Sequence, residues 1–347
     1  MFGKKRSFLG LDLGSRAIKA VEMTPAGDGF QVTGFGYEPV EPAVDEAQEG
    51  EKLRQSLESL LSRARFRTKS VVTAVSGRSV IVRYVTMAQM APENLRNAIR
   101  FEADKYIPFE IDEVVLDCQK LEDAPDGKDM KVVLVAVKKS VVEDQVRLLE
   151  SVGLRPQVID VDAFALGNAF ELHQALSAKA MERDRVVSLI DIGARKTNIN
   201  IVVGTTSHFT REVYIGGSNF VELVAKRFGT DESGAEMFMA DPGEAMGELR
   251  ETVASVTDEL VHEIQLSFDF FENQNDQEVR EIYVSGGASR LAGLPAEFER
   301  ALGRVTRAWD PLENLAVDPR GVNEAEIRDK APNLAIAVGL ASRLRRD

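Results

Sequence analysis

A short polar turn near the start of the chain carries residue types that bind phosphate. Within residues 8–23, the turn between two apolar runs holds Asp12, Gly14, Ser15 and Lys19. Backbone N–H groups, a hydroxyl and an ammonium at such a turn suit phosphate oxygens, and a nearby carboxylate can hold Mg²⁺ directly or through water. Taken alone, the stretch is more often an ordinary β-hairpin, because Asp-x-Gly forms turns well.

The second half of the chain repeats this design. Residues 186–193 form another apolar run that ends in Asp-x-Gly, and Asp191 corresponds to Asp12. The correspondence continues through the turn and pairs Gly193 with Gly14, Arg195 with Arg16 and Asn198 with Lys19. Two such units indicate an internal repeat of whole lobes. If the two hairpins face one another, they would bind a polyphosphate between them. Asp12 and Asp191 would then share a Mg²⁺ that screens the phosphate charge.

Two glycine pairs lie further along the chain, each after an apolar run. Gly216 and Gly217 lead into a predicted helix. Gly286 and Gly287 follow a predicted strand and precede a predicted helix start. Because glycine has no side chain, the second pair lets a flat ring approach the backbone closely. Arg290 would cover such a ring by stacking.

Composition narrows the class of protein. The chain has 347 residues, enough for two lobes, with 44% hydrophobic and 29% charged residues as in soluble globular proteins. Its net charge of −13 argues against a broad nucleic-acid surface. The single cysteine, Cys118, excludes an intramolecular disulfide framework. The histidines lack the spacing of metal ligands: His173, His208 and His262.

The apolar runs and the N-terminal residues indicate where in the cell the protein lies. No apolar run is long enough to cross a bilayer, and residues 1–7 lead directly into the first strand, unlike a secretory signal. We therefore expect a cytoplasmic protein without a membrane span. The basic residues of this leader fit either a solubilising tail or a contact with anionic lipid: Lys4, Lys5 and Arg6.

Strands and helices alternate along the chain between these motifs. Apolar, β-branched runs predict strands at residues 29–37, 70–75, 79–85, 113–118, 131–137, 156–162 and 281–285. Apolar positions at helical spacing predict helices at residues 53–64, 92–106, 141–152, 163–176, 251–271 and 331–344. We expect residues 38–51 in a surface loop and residues 70–85 at the margin of a lobe. Gly339 would let the last helix pack closely on another backbone.

These elements predict an α/β protein of two lobes, each a mixed β-sheet flanked by helices. The predicted units are a first lobe core at residues 1–82, a small inserted subdomain at 83–153, a return to the first lobe with a connecting helix at 154–184, and a second lobe at 185–347. Within the second lobe, residues 218–276 are expected to form a helical subdomain.

The order of these motifs resembles the actin/Hsp70/sugar-kinase superfamily and, within it, the PilM family of type IV pilus assembly proteins. The matching stretches are residues 9–15, 105–117, 158–166, 191–199, 215–217 and 283–290. The sequence Tyr-Ile-Pro-Phe at residues 106–109 is the discriminating one, since the other stretches are shared across the superfamily. The resemblance implies a two-lobed actin-like, ribonuclease H-like fold with a nucleotide cleft between the lobes, and ATP with Mg²⁺ as cofactors.

The resemblance also implies roles for particular residues. The first phosphate loop would be Asp12, Gly14, Ser15 and Lys19; the second would be Asp191, Gly193, Thr197 and Asn198; the adenosine wall would be Gly286, Gly287, Ala288 and Arg290, with Gly216 and Gly217 nearby. Asp162 is the candidate for orienting an attacking water, although it also fits a helix cap or a distant Mg²⁺ partner. One departure is Met239, where relatives often carry a lysine that reaches the nucleoside. Nucleotide affinity is then weak unless Lys226 or another cation substitutes.

The resemblance further implies a partner. PilM-like proteins bind a short N-terminal peptide of a membrane protein, PilN, in a groove near the small inserted subdomain. In this chain, the apolar residues near that place are Phe101, Ile107 and Phe109, each of which also fits a plain packing role. The protein would then lie peripheral to the inner membrane through its partner. Contacts with other pilus platform proteins and self-association are compatible with this role.

Two functions of different classes follow. The first is a nucleotide-responsive scaffold in pilus assembly, in which Mg-ATP closes the lobes and hydrolysis is slow or absent. The second is an active ATPase or phosphotransferase in which Asp162 activates water or a hydroxyl. A cell-division protein similar to FtsA is a further alternative. We favour the first, because no set of polar residues marks a substrate site beyond the terminal phosphate.

Overall fold

A computed structural model describes residues 7–27, 29–41, 46–124, 127–177, 182 and 184–343. The basic leader containing Lys4, Lys5 and Arg6 lies outside the described residues, as do residues 179–181 and 183 at the predicted lobe boundary.

The strands are β1 (Phe8–Leu13), β2 (Ala17–Ala26), β3 (Gly29–Pro39), β4 (Ser70–Val75), β5 (Val80–Ala88), β6 (Val114–Asp123), β7 (Asp129–Lys138), β8 (Arg155–Val161), β9 (Val186–Ile192), β10 (Thr197–Val203), β11 (Thr206–Val213), β12 (Glu281–Ser285), β13 (Val305–Ala308) and β14 (Ala316–Val317).

The α-helices are α1 (Glu46–Arg63), α2 (Pro92–Glu102), α3 (Lys139–Ser151), α4 (Asp162–Leu176), α5 (Gly217–Phe228), α6 (Glu232–Ala240), α7 (Met246–Asn275), α8 (Leu294–Leu302), α9 (Glu324–Lys330) and α10 (Ala335–Ala341).

Two large sheets are built on the same plan. The first has the strand order β14-β3-β2-β1-β4-β8, and the second has the order β11-β10-β9-β12-β13. In each sheet three consecutive strands form an antiparallel meander, and parallel strands continue from the first strand of that meander. The Asp-x-Gly turns occupy the same place in both sheets, between the first and second strands. This shared topology agrees with the internal repeat inferred from the motifs.

The centre of the molecule lies between these sheets. One core cluster joins apolar side chains of β2 and β3, helix α4, strand β9 and helix α10. Helix α10 is buried on all sides, as its wholly apolar sequence requires. A β-carbon at Gly339 would lie 1.7 Å from the carbonyl oxygen of Ala165, so only glycine permits this approach of α10 to α4. The predicted close packing at Gly339 is confirmed.

The C-terminal part of the chain departs from one predicted unit. The sequence places residues 185–347 in the second lobe, but β14 pairs in parallel with β3 at the edge of the first sheet. Helix α10 also packs on β1 and β2. A two-residue strand has no periodicity that a sequence could reveal, and an all-round apolar helix does not indicate which sheet it covers.

A third sheet has the order β5-β7-β6, all antiparallel. Helix α2 packs on it through Leu95 and Ile99, and Pro92 begins that helix as predicted. The predicted boundary between residues 82 and 83 falls inside β5, which pairs with β7 from Val80 onward.

Three local predictions differ from the structure. Strand β4 lies inside the first sheet, between β1 and β8, because both of its faces are apolar. Helix α1 begins at Glu46, within the predicted loop. Gly287–Arg290, at the predicted helix start, is a single 3-10 turn, and α8 begins only at Leu294. Within the described part of the chain, no helix combines the length and the apolar character needed to cross a bilayer.

Candidate functional site

A cleft lined by residues of both large sheets contains both Asp-x-Gly hairpins. Its volume is about 1320 Å³. The sequence-predicted residues that line it are Asp12, Gly14, Ser15, Lys19, Asp162, Asp191, Gly193, Asn198, Gly217, Gly287, Ala288 and Arg290. The fold therefore gathers residues from the beginning, the middle and the end of the chain into one cavity.

Strands β1 and β2 position the charges of the first hairpin. Asp12 and Lys19 are opposite one another in the antiparallel ladder, and Lys19 Nζ lies 2.9 Å from Asp12 Oδ2. Burial and the charge of Asp162 raise the pKa of Asp12, and together they outweigh the lowering by Lys19 and Lys196. Burial opposes the charge on Lys19, but Asp12 and then Asp191 outweigh it and raise the pKa of the ammonium. The first hairpin therefore contains both a buried carboxylate and the ammonium that pairs with it.

Strands β9, β10 and β12 position the second carboxylate. Asp191 is opposite Asn198 in the β9–β10 ladder, and Ser285 Oγ donates a hydrogen bond to Asp191 Oδ1 at 2.9 Å. Burial raises the pKa of Asp191 to about 6, although Lys19 and the Ser285 hydroxyl lower it. An amide thus stands where the first hairpin has an ammonium, and Asp191 holds its proton more readily than an exposed aspartic acid.

Lys196, in the turn of the second hairpin, is a cleft residue that sequence reasoning missed. Its Nζ lies 2.9 Å from Asp162 Oδ2 and 2.7 Å from Glu212 Oε1. Burial lowers the pKa of Lys196, but the two carboxylates outweigh it and raise the pKa overall. The only sequence signal was its position three residues after Gly193. Asp162, the predicted water-orienting residue, is therefore ion-paired.

Residues after β12 line a further part of the cleft. Gly287 and Ala288 line it in the 3-10 turn after β12, and Arg290 donates hydrogen bonds to the carbonyl oxygen and Oδ1 of Asp329. Asn333, which also lines the cleft, has a buried Oδ1 without a hydrogen-bond partner among the described residues. Such an acceptor suits an N–H donor from a ligand. Sequence reasoning missed Asn333, because a lone asparagine in a helical stretch carries no signal.

Comparison with known proteins agrees with this architecture. A family profile described as type IV pilus assembly protein PilM matches residues 10–346. The chain is a member of the PilM family. A solved structure described as a PilM–PilN type IV pilus biogenesis complex is 31% identical, with a TM-score of 0.85, 99% of this chain covered and 100% of that chain.

More distant structures share the fold of this PilM-family chain. The ethanolamine utilization protein EutJ from Carboxydothermus hydrogenoformans is 18% identical, with a TM-score of 0.53 over 97% of this chain and 89% of that chain. MreB 5 of Spiroplasma citri, bound to AMPPNP, is 11% identical, with a TM-score of 0.52 over 97% of this chain and 95% of that chain. The actin-like α/β fold expected from the sequence is confirmed.

Several predicted nucleotide residues of the PilM-family chain are not brought to the cleft surface. The Thr197 hydroxyl is buried and donates to the carbonyl oxygen of Ile215 at 2.7 Å. Gly216 and Gly286 lie behind the cleft wall, where a β-carbon would meet the backbone of Ala194 or Ile192. Lys226 is exposed on α5 and does not line the cleft, whereas Met239 is buried and does line it. Lys226 is therefore poorly placed to replace the lysine absent at position 239.

The predicted partner residues of the PilM-family chain have unequal exposure. Phe101 on α2 is 83% exposed, whereas Ile107 is 7% exposed and packs in the core under the third sheet. Phe109 packs against that core and lies under Lys138 Nζ, 4.7 Å from the ring centre. A groove of about 610 Å³ runs beside α2 and β6, and its lining residues include Arg96, Ile99, Arg100, Val115 and Lys139.

Proposed function

We propose that this PilM-family chain is a cytoplasmic, actin-like ATP-binding protein that acts as a nucleotide-responsive scaffold of the type IV pilus inner-membrane platform. The observation that carries the proposal is the cleft itself, in which two Asp-x-Gly hairpins from two sheets of the same plan present buried Asp12 and Asp191 to one cavity. Such an arrangement suits a polyphosphate held between two lobes.

The residues present fit Mg-ATP. A β-carbon at Gly14 would lie 2.7 Å from both the Ala17 carbonyl oxygen and Lys19 Nζ, so glycine keeps room in the first turn. Asp12 and Asp191 would hold Mg²⁺, partly through water, and the ion would screen the phosphate charge. The phosphates would contact Ser15, Lys19 and the turn at Gly193. The nucleoside would lie against Gly217, Gly287, Ala288 and Arg290, with Asn333 supplying an acceptor.

We propose that hydrolysis is slow or absent. Asp162 at the start of α4 is the residue that the ATPase alternative needs as a base. Its Oδ2 is ion-paired with Lys196 at 2.9 Å, so the oxygen that would take a proton from water already has the lysine ammonium as its hydrogen-bond partner. This contact favours the scaffold over the active ATPase or phosphotransferase.

We propose that the partner is the N-terminal peptide of a PilN-like membrane protein, and the similar solved structure described as a PilM–PilN complex supports a partner of this kind. Strand β6 is an edge strand of the third sheet and borders the groove beside α2, so an extended peptide can pair with it. Phe101 is exposed on α2, the helix that borders this groove, and would contact apolar side chains of the peptide. Through such a partner the protein would lie at the inner membrane.

Thermal unfolding tests nucleotide binding. At millimolar Mg-ATP we expect the melting temperature to rise by roughly 3–8 °C, because a ligand that binds only the folded state stabilises it by mass action. Asp12→Ala and Asp191→Ala should lose most of this rise. Asp258→Ala, which removes an exposed aspartate on α7, is the matched control and should keep it. No rise in the wild-type protein would contradict the proposal.

Peptide capture tests the partner separately. A fluorescent N-terminal peptide of a PilN-like protein should bind the full chain, and Phe101→Ala should weaken binding about tenfold, equivalent to about 1.4 kcal/mol of lost apolar contact. Phe270→Ala removes another exposed phenylalanine, 52% exposed on α7, and should leave binding unchanged. If Phe101→Ala and Phe270→Ala bind the peptide equally well, Phe101 is not part of the peptide-binding site. If the wild type does not bind the peptide, the proposed partner is rejected, and the melting experiment still tests nucleotide binding.

A further inference from the structure

Lys196 is held between carboxylates that come from different parts of the fold. Asp162 begins α4, which lies between the two large sheets, and Glu212 stands near the end of β11. The lysine side chain is 23% exposed and lines the cleft. Its ammonium is therefore close to the site proposed for phosphate while bound, in this structure, by protein groups alone.

We infer that Lys196 detects the terminal phosphate of a bound nucleoside triphosphate, exchanging its protein carboxylates for that phosphate. The inference rests on the proposed nucleotide function. Three other cations of the two hairpins line the cavity: Lys19 is already proposed to contact the phosphates, and Arg16 and Arg195 pair with Glu232 and Glu49 across the cleft. Lys196 is the lysine of the second hairpin, and an ammonium binds phosphate as a point charge.

The order of the second sheet indicates which phosphate Lys196 would meet. The nucleoside wall follows β12, and the sheet continues from β12 to β9, which carries Asp191, then to β10 and β11. Glu212, the partner of Lys196, is on β11 and therefore on the side of Asp191 opposite the nucleoside wall. A polyphosphate that extends from the wall past Asp191 presents its terminal group toward Lys196.

Glu212 connects this exchange to the third sheet. Its Oε1 also accepts a hydrogen bond from the backbone N–H of Gly77 at 3.1 Å, and its Oε2 accepts one from the Tyr214 hydroxyl at 3.1 Å. Gly77 and Arg78 form the turn that leads into β5, and the Arg78 guanidinium lies over the Tyr214 ring at 5.0 Å. When Lys196 turns to a phosphate, Glu212 loses its cation, and the contacts at the base of the third sheet change.

The affinities of the full chain for Mg-ATP and Mg-ADP test the inference. We expect wild type to bind ATP about tenfold more tightly than ADP, the effect of one charge-assisted contact. Lys196→Met should bind the two equally while keeping its affinity for ADP. Lys226→Met removes an exposed lysine and should keep the wild-type ratio. A wild-type ratio near one, or an unchanged ratio in Lys196→Met, would overturn the inference; a wild type that binds neither nucleotide would reject the proposed function as well.

Hydrogen exchange at the Gly77 amide provides a readout that does not depend on affinity. The amide should exchange faster with saturating ATP than with ADP in the wild type, and this difference should vanish in Lys196→Met. If that variant does not fold, Lys196→Met/Glu212→Gln removes both charges and should show the same two losses. Lys196→Arg keeps the charge and should retain part of the ATP preference. Exchange at Gly77 that is identical with ATP and ADP in wild type would contradict the link through Glu212.

Discussion

The two Asp-x-Gly hairpins share a local design and differ in their electrostatics. In each hairpin an arginine four residues after the aspartate reaches a glutamate across the cleft: Arg16 bonds Glu232 on α6, and Arg195 bonds Glu49 on α1 at 2.6 Å. Seven residues after the aspartate, however, the first hairpin has Lys19 and the second has Asn198. The residue at this one position of the repeat therefore determines whether the carboxylate has a positive charge opposite it in its own hairpin.

This difference separates the roles of the two halves. Asp12 is paired within its own hairpin, whereas Asp191 receives a hydroxyl from Ser285 and has its pKa raised to about 6. The lysine of the second hairpin, Lys196, points instead to Asp162 and Glu212. The first hairpin is balanced before any ligand arrives, and the second gains more from a cation such as Mg²⁺.

The largest expected contrast is between Asp191→Asn and Asp12→Asn in unfolding without nucleotide. Since folding raises the pKa of Asp191 from 3.8 to about 6, its protonated form favours the fold below about pH 4, and that contribution is lost as the pH rises through 6. Asp191→Asn should therefore raise the free energy of unfolding at pH 7.5 by about 2 kcal/mol and have little effect at pH 4. Urea unfolding at both pH values measures this.

Asp12→Asn should gain less stability than Asp191→Asn. Burial raises the pKa of Asp12 as well, but this variant also removes the carboxylate that lies 2.9 Å from the buried Lys19 ammonium, so we expect a gain below about 1 kcal/mol at pH 7.5. The double variant Asp12→Asn/Lys19→Met removes both charges and should be more stable than Asp12→Asn. If both asparagine variants raised the free energy of unfolding equally, the two hairpins would be electrostatically equivalent and the contrast would fail.

Alanine at the turn glycines gives the next largest contrast. A β-carbon at Gly14 would lie 2.7 Å from a carbonyl oxygen, whereas one at Gly193 would lie 3.1 Å from the Lys196 carbonyl oxygen. Gly14→Ala should therefore destabilise the protein by about 2 kcal/mol, and Gly193→Ala by less than about 1 kcal/mol. Thermal unfolding of the two variants side by side decides this, and Gly50→Ala is the control because its β-carbon meets no atom within 4 Å.

The smallest effects are expected where the hairpins are alike. Arg16→Ala and Arg195→Ala each remove one partly exposed ion pair across the cleft, worth about 0–1 kcal/mol. We expect similar, small losses of stability for both variants at low salt and none at about 1 M salt, where charges are screened within about 3 Å. A loss of stability that persisted at high salt would mean that the arginine stabilises the fold through packing of its aliphatic stem and not through its ion pair.

Much of the fold was accessible from local patterns. In α7 the predicted apolar positions Val253, Leu260 and Phe268 are buried, because helical spacing alone places them on one face. The first hairpin and the strand ending at Ser285 were likewise predicted, since an apolar run and glycine are local signals. The family resemblance rested on these same stretches.

Long-range placement was not accessible in the same way. Strand β14 pairs with β3 in the first sheet although the whole second sheet lies between these two strands in the chain. Strand β5 crosses a predicted boundary because its pairing with β7 starts at Val80. Two residues that line the cleft, Asn333 and Lys196, could be identified only from the tertiary structure. The residues next to them in the sequence form no pattern that is typical of a cleft.

The sequence by itself determined the two hairpins, because an aspartate, a glycine and alternating apolar residues specify a strand and a turn within a dozen positions. It also determined that the hairpins are a repeat. Only the tertiary structure decided which charges meet, since Lys196 finds Asp162 and Glu212, and Arg16 finds Glu232, through side chains that different elements bring together. Ion pairs depend on distance in space, and distance along the chain does not predict them.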